Sequence, residues 1–368
     1  MRIRELAAQA WRNLAPLRLE PGQRLTVLSG DNGQGKTNVI EAAYYLAAFR
    51  SFRTSSVEDL VQRGAPGGRT RLRAEIDQAA LSRRLELDLA PGARVVRLDG
   101  KAVRSTAAAL GLLRVVLFVP EDLLLPRAAP AARRRFADLA IFNLERAYYG
   151  EASAFQKVLR NRNALLKRGT IEPALLDTFD EELARTGARV VVRRRALAAA
   201  LAPRFAGLFR ELHGDIPVSL TYRSHEEVEA ASDEAGVRLA LARGLAQRRG
   251  LDERRRFTGF GPQTDDVEIG FGGSLARGHA SQGQLRSLML ALKLAELMEV
   301  GERLGDAPVL LLDDVPSELD ARRRALLFDV VGRLQCQTLI SVTEPELVPA
   351  AGDRVDFQVR GGVLTRIA

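Results

Sequence analysis

Eight consecutive residues, Gly30, Asp31, Asn32, Gly33, Gln34, Gly35, Lys36 and Thr37, constrain this chain more than any other stretch. They fit the spacing G-x-x-x-x-G-K-[ST] and follow directly on Leu25-Thr26-Val27-Leu28, which reads as a short buried strand. From Thr37 to Phe49, apolar Val39, Ile40, Ala43, Tyr44 and Ala47 recur at helical spacing, so a helix follows the loop. Strand, glycine-rich turn and helix in that order make this region α/β. The glycines allow backbone conformations that turn N–H groups inward around phosphate oxygens, and the helix start adds its positive end. Lys36 is placed to reach the β- and γ-phosphates and Thr37 to ligate Mg²⁺, with Asn38 completing the ATP-binding set. Only five of the 55 basic side chains are lysine, so a lysine at this position is hard to ascribe to chance.

A phosphate loop needs carboxylates to hold the metal and to orient the attacking water. The apolar run Val309 to Leu312 ends in Asp313-Asp314, which places Asp313 at the Mg²⁺ and Asp314 as the water-polarising base. A third element, Ser281-Gln282-Gly283-Gln284, stands before a helical stretch reaching Val300. Ser281 is positioned as its N-cap, and the N–H groups that follow present a second anion site. Taken alone, such a serine is often only a cap.

Elsewhere the periodicity divides the chain in three. Residues 1–122 read as strands around one helix, with alternating Leu85, Leu87 and Leu89, a hairpin turn at Asp99-Gly100 and a buried strand from Leu113 to Val119. Residues 123–253 are mainly helical, with apolar spacing of three and four through Phe136, Leu139, Phe155, Leu159, Leu183, Val190 and Leu197, and one brief strand at Val218 to Tyr222. From 254 to 368 the α/β character returns, with strands at Val267–Ile269, Val309–Leu312 and Thr338–Val342 and a helix from Arg322 to Leu334. No apolar heptad persists long enough for a coiled coil. The expectation is one α/β domain split in sequence by a helical insertion.

The formal charge of +9 and sequence pI near 10.2 favour polyanionic partners, nucleic acid first. Arginine triplets stand at 133–135, 193–195, 254–256 and 322–324. The expected DNA contacts are Arg254, Arg255 and Arg256, with nearby Arg248 and Arg249. Aromatics make up only 5%, so backbone contact with duplex fits better than base stacking on single strands. Cys336 is the one cysteine, which excludes an intramolecular disulfide and points to a reducing compartment. No apolar run approaches the ~18 residues of a membrane span, and the start lacks the apolar core of a secretory signal, so a cytoplasmic protein is expected. His213, His225 and His279 are scattered and give no zinc spacing.

The order of these elements, ending in Ser317-Glu318-Leu319-Asp320 after the carboxylate pair, resembles the ATP-binding-cassette ATPases. Lys36 and Ser281 are too far apart for a transporter ATPase and too close for the long coiled-coil chromosome-structure ATPases. Within the superfamily the chain resembles the RecF family of bacterial recombination mediators along essentially its whole length. The resemblance rests on Arg12-Asn13-Leu14, Asn38 with Glu41-Ala42, Arg50-Ser51-Phe52-Arg53, Pro120-Glu121-Asp122-Leu123, Arg134-Arg135-Phe136 with Asp138, Arg162-Asn163-Ala164-Leu165-Leu166, and Phe257-Thr258-Gly259 with Gly261-Pro262. It departs from the family at Gln263-Thr264, where His-Arg is usual, and at Leu285, where a second glutamine is usual, so no role of that His-Arg pair is carried over.

The resemblance implies a P-loop ATPase head with an inserted, mainly helical second lobe and no long coiled coil. It also implies that Ser281 to Gln284 of one protomer close on ATP held by another, with Ser317 to Asp320 as the loop between the subunits. ATP-driven dimerisation on gapped or duplex DNA, slow DNA-dependent ATP hydrolysis and help in loading RecA with RecO and RecR follow from the same likeness. Two rival readings are the energising subunit of a membrane transporter and an ATPase of a defence or chromosome-structural system.

Overall fold

Every side chain of Leu25–Ser29, Val309–Asp313 and Thr338–Val342 is buried, as strands covered on both faces require. They lie together in a six-stranded sheet whose order is Val363–Arg366, Arg354–Arg360, Leu25–Ser29, Thr338–Val342, Val309–Asp313 and Val115–Phe118. All neighbours run parallel except the C-terminal hairpin. The computed structural model describes residues 1–78, 81–168, 172–349 and 353–367. They form two units, Met1–Leu123 with Lys293–Ala368, and Leu124–Leu292.

In the first unit the helix Lys36–Ala48 is buried on nearly all sides, including Val39, Ile40, Ala43 and Leu46, which suits its apolar character right around the axis. Trp11 packs edge-on against Tyr45 with ring centroids 5.4 Å apart, and its indole N–H donates to the Asn38 carbonyl at 2.9 Å. A second, antiparallel sheet runs Leu17–Leu19, Arg2–Gln9, Thr70–Gln78, Leu81–Ala90, Ala93–Leu98 and Lys101–Ala102. The alternating Leu85, Leu87 and Leu89 are its buried face. Asp99 and Gly100 both adopt positive φ, the backbone a two-residue hairpin turn demands.

The second unit packs the helices Pro130–Leu144, Ala147–Lys167, Pro173–His213 and Glu234–Arg255 with a three-stranded antiparallel sheet. In the long helix Pro173–His213, Leu183, Val190, Leu197, Leu201 and Phe205 lie on the buried side. No long coiled coil occurs among the described residues.

One boundary differs from the expectation. The return to the first unit falls at Lys293, within the helix Gln282–Leu304, and not at residue 254. The reason is that Asp266–Phe271 pairs along its full length with Val218–Arg223, so the strand at Val267 and Ile269 completes the second unit's own sheet. Among the described residues no helix is long and apolar enough to cross a membrane.

Candidate nucleotide-binding site

The loop between the buried strand Leu25–Ser29 and the helix Lys36–Ala48 has φ of 145° at Gly30, 81° at Gly33 and 116° at Gly35, a region that side chains other than glycine rarely adopt. Gly30 is doubly required, because a Cβ there would lie 2.3 Å from the Val359 carbonyl oxygen. Lys36 Nζ donates to the carbonyls of Gly30 at 2.5 Å and Asp31 at 2.9 Å, which holds the ammonium over the loop. Burial pulls this ammonium below its ordinary pKa, while Asp314, Asp313 and Asp31 act the other way. The C-terminal hairpin braces the loop from outside: Gly361 N–H donates to Gln34 Oε1 at 2.6 Å and Gly362 N–H to the Gln34 carbonyl at 2.9 Å.

Behind the loop, Thr37 Oγ1 donates to Asp313 Oδ1 at 2.8 Å, and Ser341 Oγ donates to the same oxygen at 2.6 Å. The register that places Asp313 opposite Ser341 in adjacent parallel strands makes the second contact possible. Burial pushes the Asp313 carboxyl above the ordinary range and the neighbouring Asp314 adds to this, against the two hydroxyl bonds. Asp314 has φ 53°; its N–H donates to Ser341, and its Oδ1 accepts from Ser317 Oγ at 2.6 Å. Asp320 Oδ1 accepts from Arg323 N–H at 2.9 Å and so caps the helix Ala321–Leu334, while Leu319 is buried.

These residues fit a magnesium nucleotide. A threonine hydroxyl and a desolvated carboxylate lie within hydrogen-bond reach of each other, which is the hard-oxygen pair such a cation takes. Burial disfavours the charged form of Asp313, and a cation held there would offset that cost. Beside the loop helix, a cavity of about 690 Å³ is lined by Arg12, Asn13, Asn38, Arg53, Asp59 and Gln62 among others. Its wall hangs on the fully buried Glu41, which accepts from Arg12 Nε at 2.8 Å, from an Arg12 terminal nitrogen at 2.7 Å and from Ser51 Oγ. Arg53 in turn donates to Asn38 Oδ1 at 2.8 Å.

Ser281 and Gln284 belong to the second unit and bond reciprocally. Ser281 N–H donates to Gln284 Oε1 at 2.8 Å, and Gln284 N–H donates to Ser281 Oγ at 3.3 Å, a capping box on the helix Gln282–Leu304. Ser281 and Gln282 are exposed and Gly283 is half-buried. The basic candidates divide. Arg248 stacks over Phe260 at 4.2 Å and pairs with Glu227 at 3.1 Å; Arg249 pairs with Asp177 at 2.6 Å and Asp180 at 2.7 Å. Those two charges are committed within the unit, whereas Arg254, Arg255 and Arg256 are exposed at the helix end. Gln263 and Thr264 close a local turn on the carbonyls of Phe260 and Gly261. Sequence reasoning passed over Ser341, the Gly361–Gly362 brace and the hub role of Glu41. The first two carry no local signal, because strand register and a contact from the far end of the chain create them.

A sequence model of the RecF/RecN/SMC N terminal domain matches residues 2–361. The DNA replication and repair protein RecF of Anaeromyxobacter sp. (strain Fw109-5) is 42% identical over 369 residues, 99% of each chain. That of Myxococcus xanthus is 39% identical, covering 98% of this chain and 96% of its own. Among solved structures, the recombination mediator protein RecF with ATP superimposes at TM-score 0.91 with 30% identity, over 100% of this chain and 97% of that one. An Smc head bound to the C-winged helix domain of ScpA reaches 0.57 at 14% identity, covering 99% of this chain and 96% of that one, a likeness of fold alone.

Proposed function

Because the chain belongs to the RecF family of DNA replication and repair proteins, we propose that it is an ATP-dependent DNA-binding protein that dimerises on gapped or duplex DNA, hydrolyses ATP slowly, and assists RecA loading with RecO and RecR. The observation that carries the reading is the Thr37–Asp313 contact behind a glycine loop whose lysine lies over it. Gly30 to Asn38 bind the phosphates, and the Arg12–Asn13–Arg53 cavity takes the nucleoside end. Thr37 and Asp313 hold Mg²⁺, which when bound neutralises phosphate charge and orients the phosphoryl group. Asp314 accepts the proton of the attacking water. Its left-handed backbone and the Ser317 hydroxyl fix that carboxylate in place. Ser281 to Gln284 complete the site of a second protomer, with Ser317 to Asp320 between the two, and the work is cytoplasmic.

Sizing the protein by light scattering with and without ATP and duplex DNA tests this. A monomer that doubles in mass on adding ATP, further favoured by DNA, is expected. A mass indifferent to ATP overturns the switch.

A further inference from the structure

The C-terminal half of the helix Ala147–Lys167 carries its charge in a pattern that the nucleotide site does not use. Between Gln156 and Arg168 there is no acidic residue. Phe155, Leu159, Arg162, Leu165 and Leu166 are buried, while Lys157, Arg160, Ala164, Lys167 and Arg168 are exposed, so the cations share one face at spacing of three and four. The buried Arg162, on the opposite side of the same helix, anchors the chain around the arginine turn. It pairs with Asp180 at 2.6 Å and Asp252 at 2.8 Å, and the neighbouring Asn163 accepts from Thr258 N–H at 2.8 Å. These bonds tie Asp252 and Thr258, on either side of Arg254 to Arg256, to the same helix that carries the stripe.

Elsewhere in this unit arginines meet carboxylates: Arg133 with Asp266, Arg193 with Glu145, Arg194 with Asp138 and Arg249 with Asp180. The side chains of Lys157, Arg160, Lys167, Arg168 and Arg254 to Arg256 make no ion pair or hydrogen bond among the described residues. Glu253 is the one exposed acid on the adjoining helix turn. We propose that this stripe and the adjoining arginine turn together form the surface on which the protein holds the phosphate backbone of duplex DNA.

The inference rests on the DNA-binding reading above and gives it a location. From Lys157 to Lys167 the stripe runs about 15 Å at the helical rise, the length of roughly four base pairs. Phe257 is a lone exposed aromatic next to Arg254–Arg256, and one ring offers little of the stacking platform that unpaired bases need. Cations near helix ends also favour the helix dipole, but that effect fades beyond the last turn. Lys157 and Arg160 lie further in, so their charges have no such explanation.

The test compares Lys157→Gln/Arg160→Gln with Lys101→Gln/Arg104→Gln, which removes an equal exposed charge from the first unit. Binding of the full chain with ATP to a fluorescein-labelled, mixed-sequence duplex is titrated over a range of salt, and melting is recorded for each variant. The expected result is a log–log salt slope shallower by about two for the helix variant, at unchanged melting temperature, and little change for the control. An unchanged slope in the helix variant, with the parent still binding, overturns this surface and leaves the DNA reading intact. Equal loss in both variants also overturns it, because the effect is then diffuse charge. A parent chain that binds no duplex overturns the DNA reading itself and this surface with it.

Discussion

Glu41→Gln tests whether the wall of the cavity beside the loop helix hangs on one carboxylate. Glu41 is wholly buried and takes both Arg12 contacts and the Ser51 hydroxyl, and Arg12 itself is only 16% exposed. Glutamine keeps the volume but turns an NH₂ group towards a guanidinium and removes the compensating charge. Removing one partner of a buried pair costs about 3–5 kcal/mol. Arg12 keeps its bond to the Asp59 carbonyl at 2.8 Å, so the low end, about 3 kcal/mol, applies. In a unit of roughly 200 residues, each kcal/mol shifts melting by about 2–4 °C, so a drop of about 6–12 °C is expected. Differential scanning calorimetry of the full chain reads it, and added ATP identifies the first unit's transition by raising it. Adding Arg12→Met to Glu41→Gln removes the stranded cation and should recover at least about 1 kcal/mol relative to the sum of the single changes. A Glu41→Gln protein melting within about 2 °C of the parent refutes the hub, since a largely buried cation left without its counter-charge cannot cost so little.

Lys36→Met removes the positive partner of the terminal phosphate, so nucleotide affinity and ATP-dependent association should be lost with the fold kept; unchanged affinity in a titration removes the loop assignment. Asp314→Asn should keep ATP binding, nearly stop turnover and accumulate dimer, whereas normal phosphate release moves the base to another residue such as Glu318. Ser281→Arg should abolish ATP-driven dimerisation in light scattering while the monomer still binds ATP; a mere loss of the cap would instead cost about 1 kcal/mol of stability and leave association alone. Burial pushes the Asp265 carboxyl up to about 6, against roughly 4 in an unfolded chain. The folded state therefore binds the extra proton, and the stability this gives is full below about pH 4 and is lost as pH rises to about 6. Asp265→Asn should flatten that slope in denaturant titrations of the second unit, and an unaltered slope assigns the titration elsewhere.

The nucleotide loop was legible because its determinants are local. Gly30, Gly33, Gly35, Lys36 and Thr37 act through backbone φ and a helix start, both fixed within a few residues. The Asp313-Asp314 pair was legible for a related reason, since a fully apolar run ending in acids leaves little choice but a buried strand with its charges at the tip. Ser341 was not, because its contact with Asp313 exists only once two strands far apart in sequence adopt one register. Nor was the division at Lys293. The alternation at Val267 and Ile269 announces a strand, but not which sheet receives it, and pairing with Val218–Arg223 decided that.

Charge was least legible where it was most conspicuous. Runs of three arginines catch the eye, yet successive residues on a helix point about 100° apart, so a triplet cannot present one face. The helices scatter them accordingly. Arg133 is buried on Asp266, and Arg134 donates to the Asp265 carbonyl, while Arg135 is left exposed. Arg194 is buried on Asp138, Arg193 reaches Glu145, and Arg195 is bound to the carbonyls of Ala231 and Val228. Only the triplet 254–256, where the helix ends and Arg256 turns to positive φ, escapes this scatter. Lys157, Arg160, Lys167 and Arg168 form no run at all, and their spacing is what gathers them on one face. A polyanion meets a face and not a run, so on a helix the helical period decides which cations it can reach.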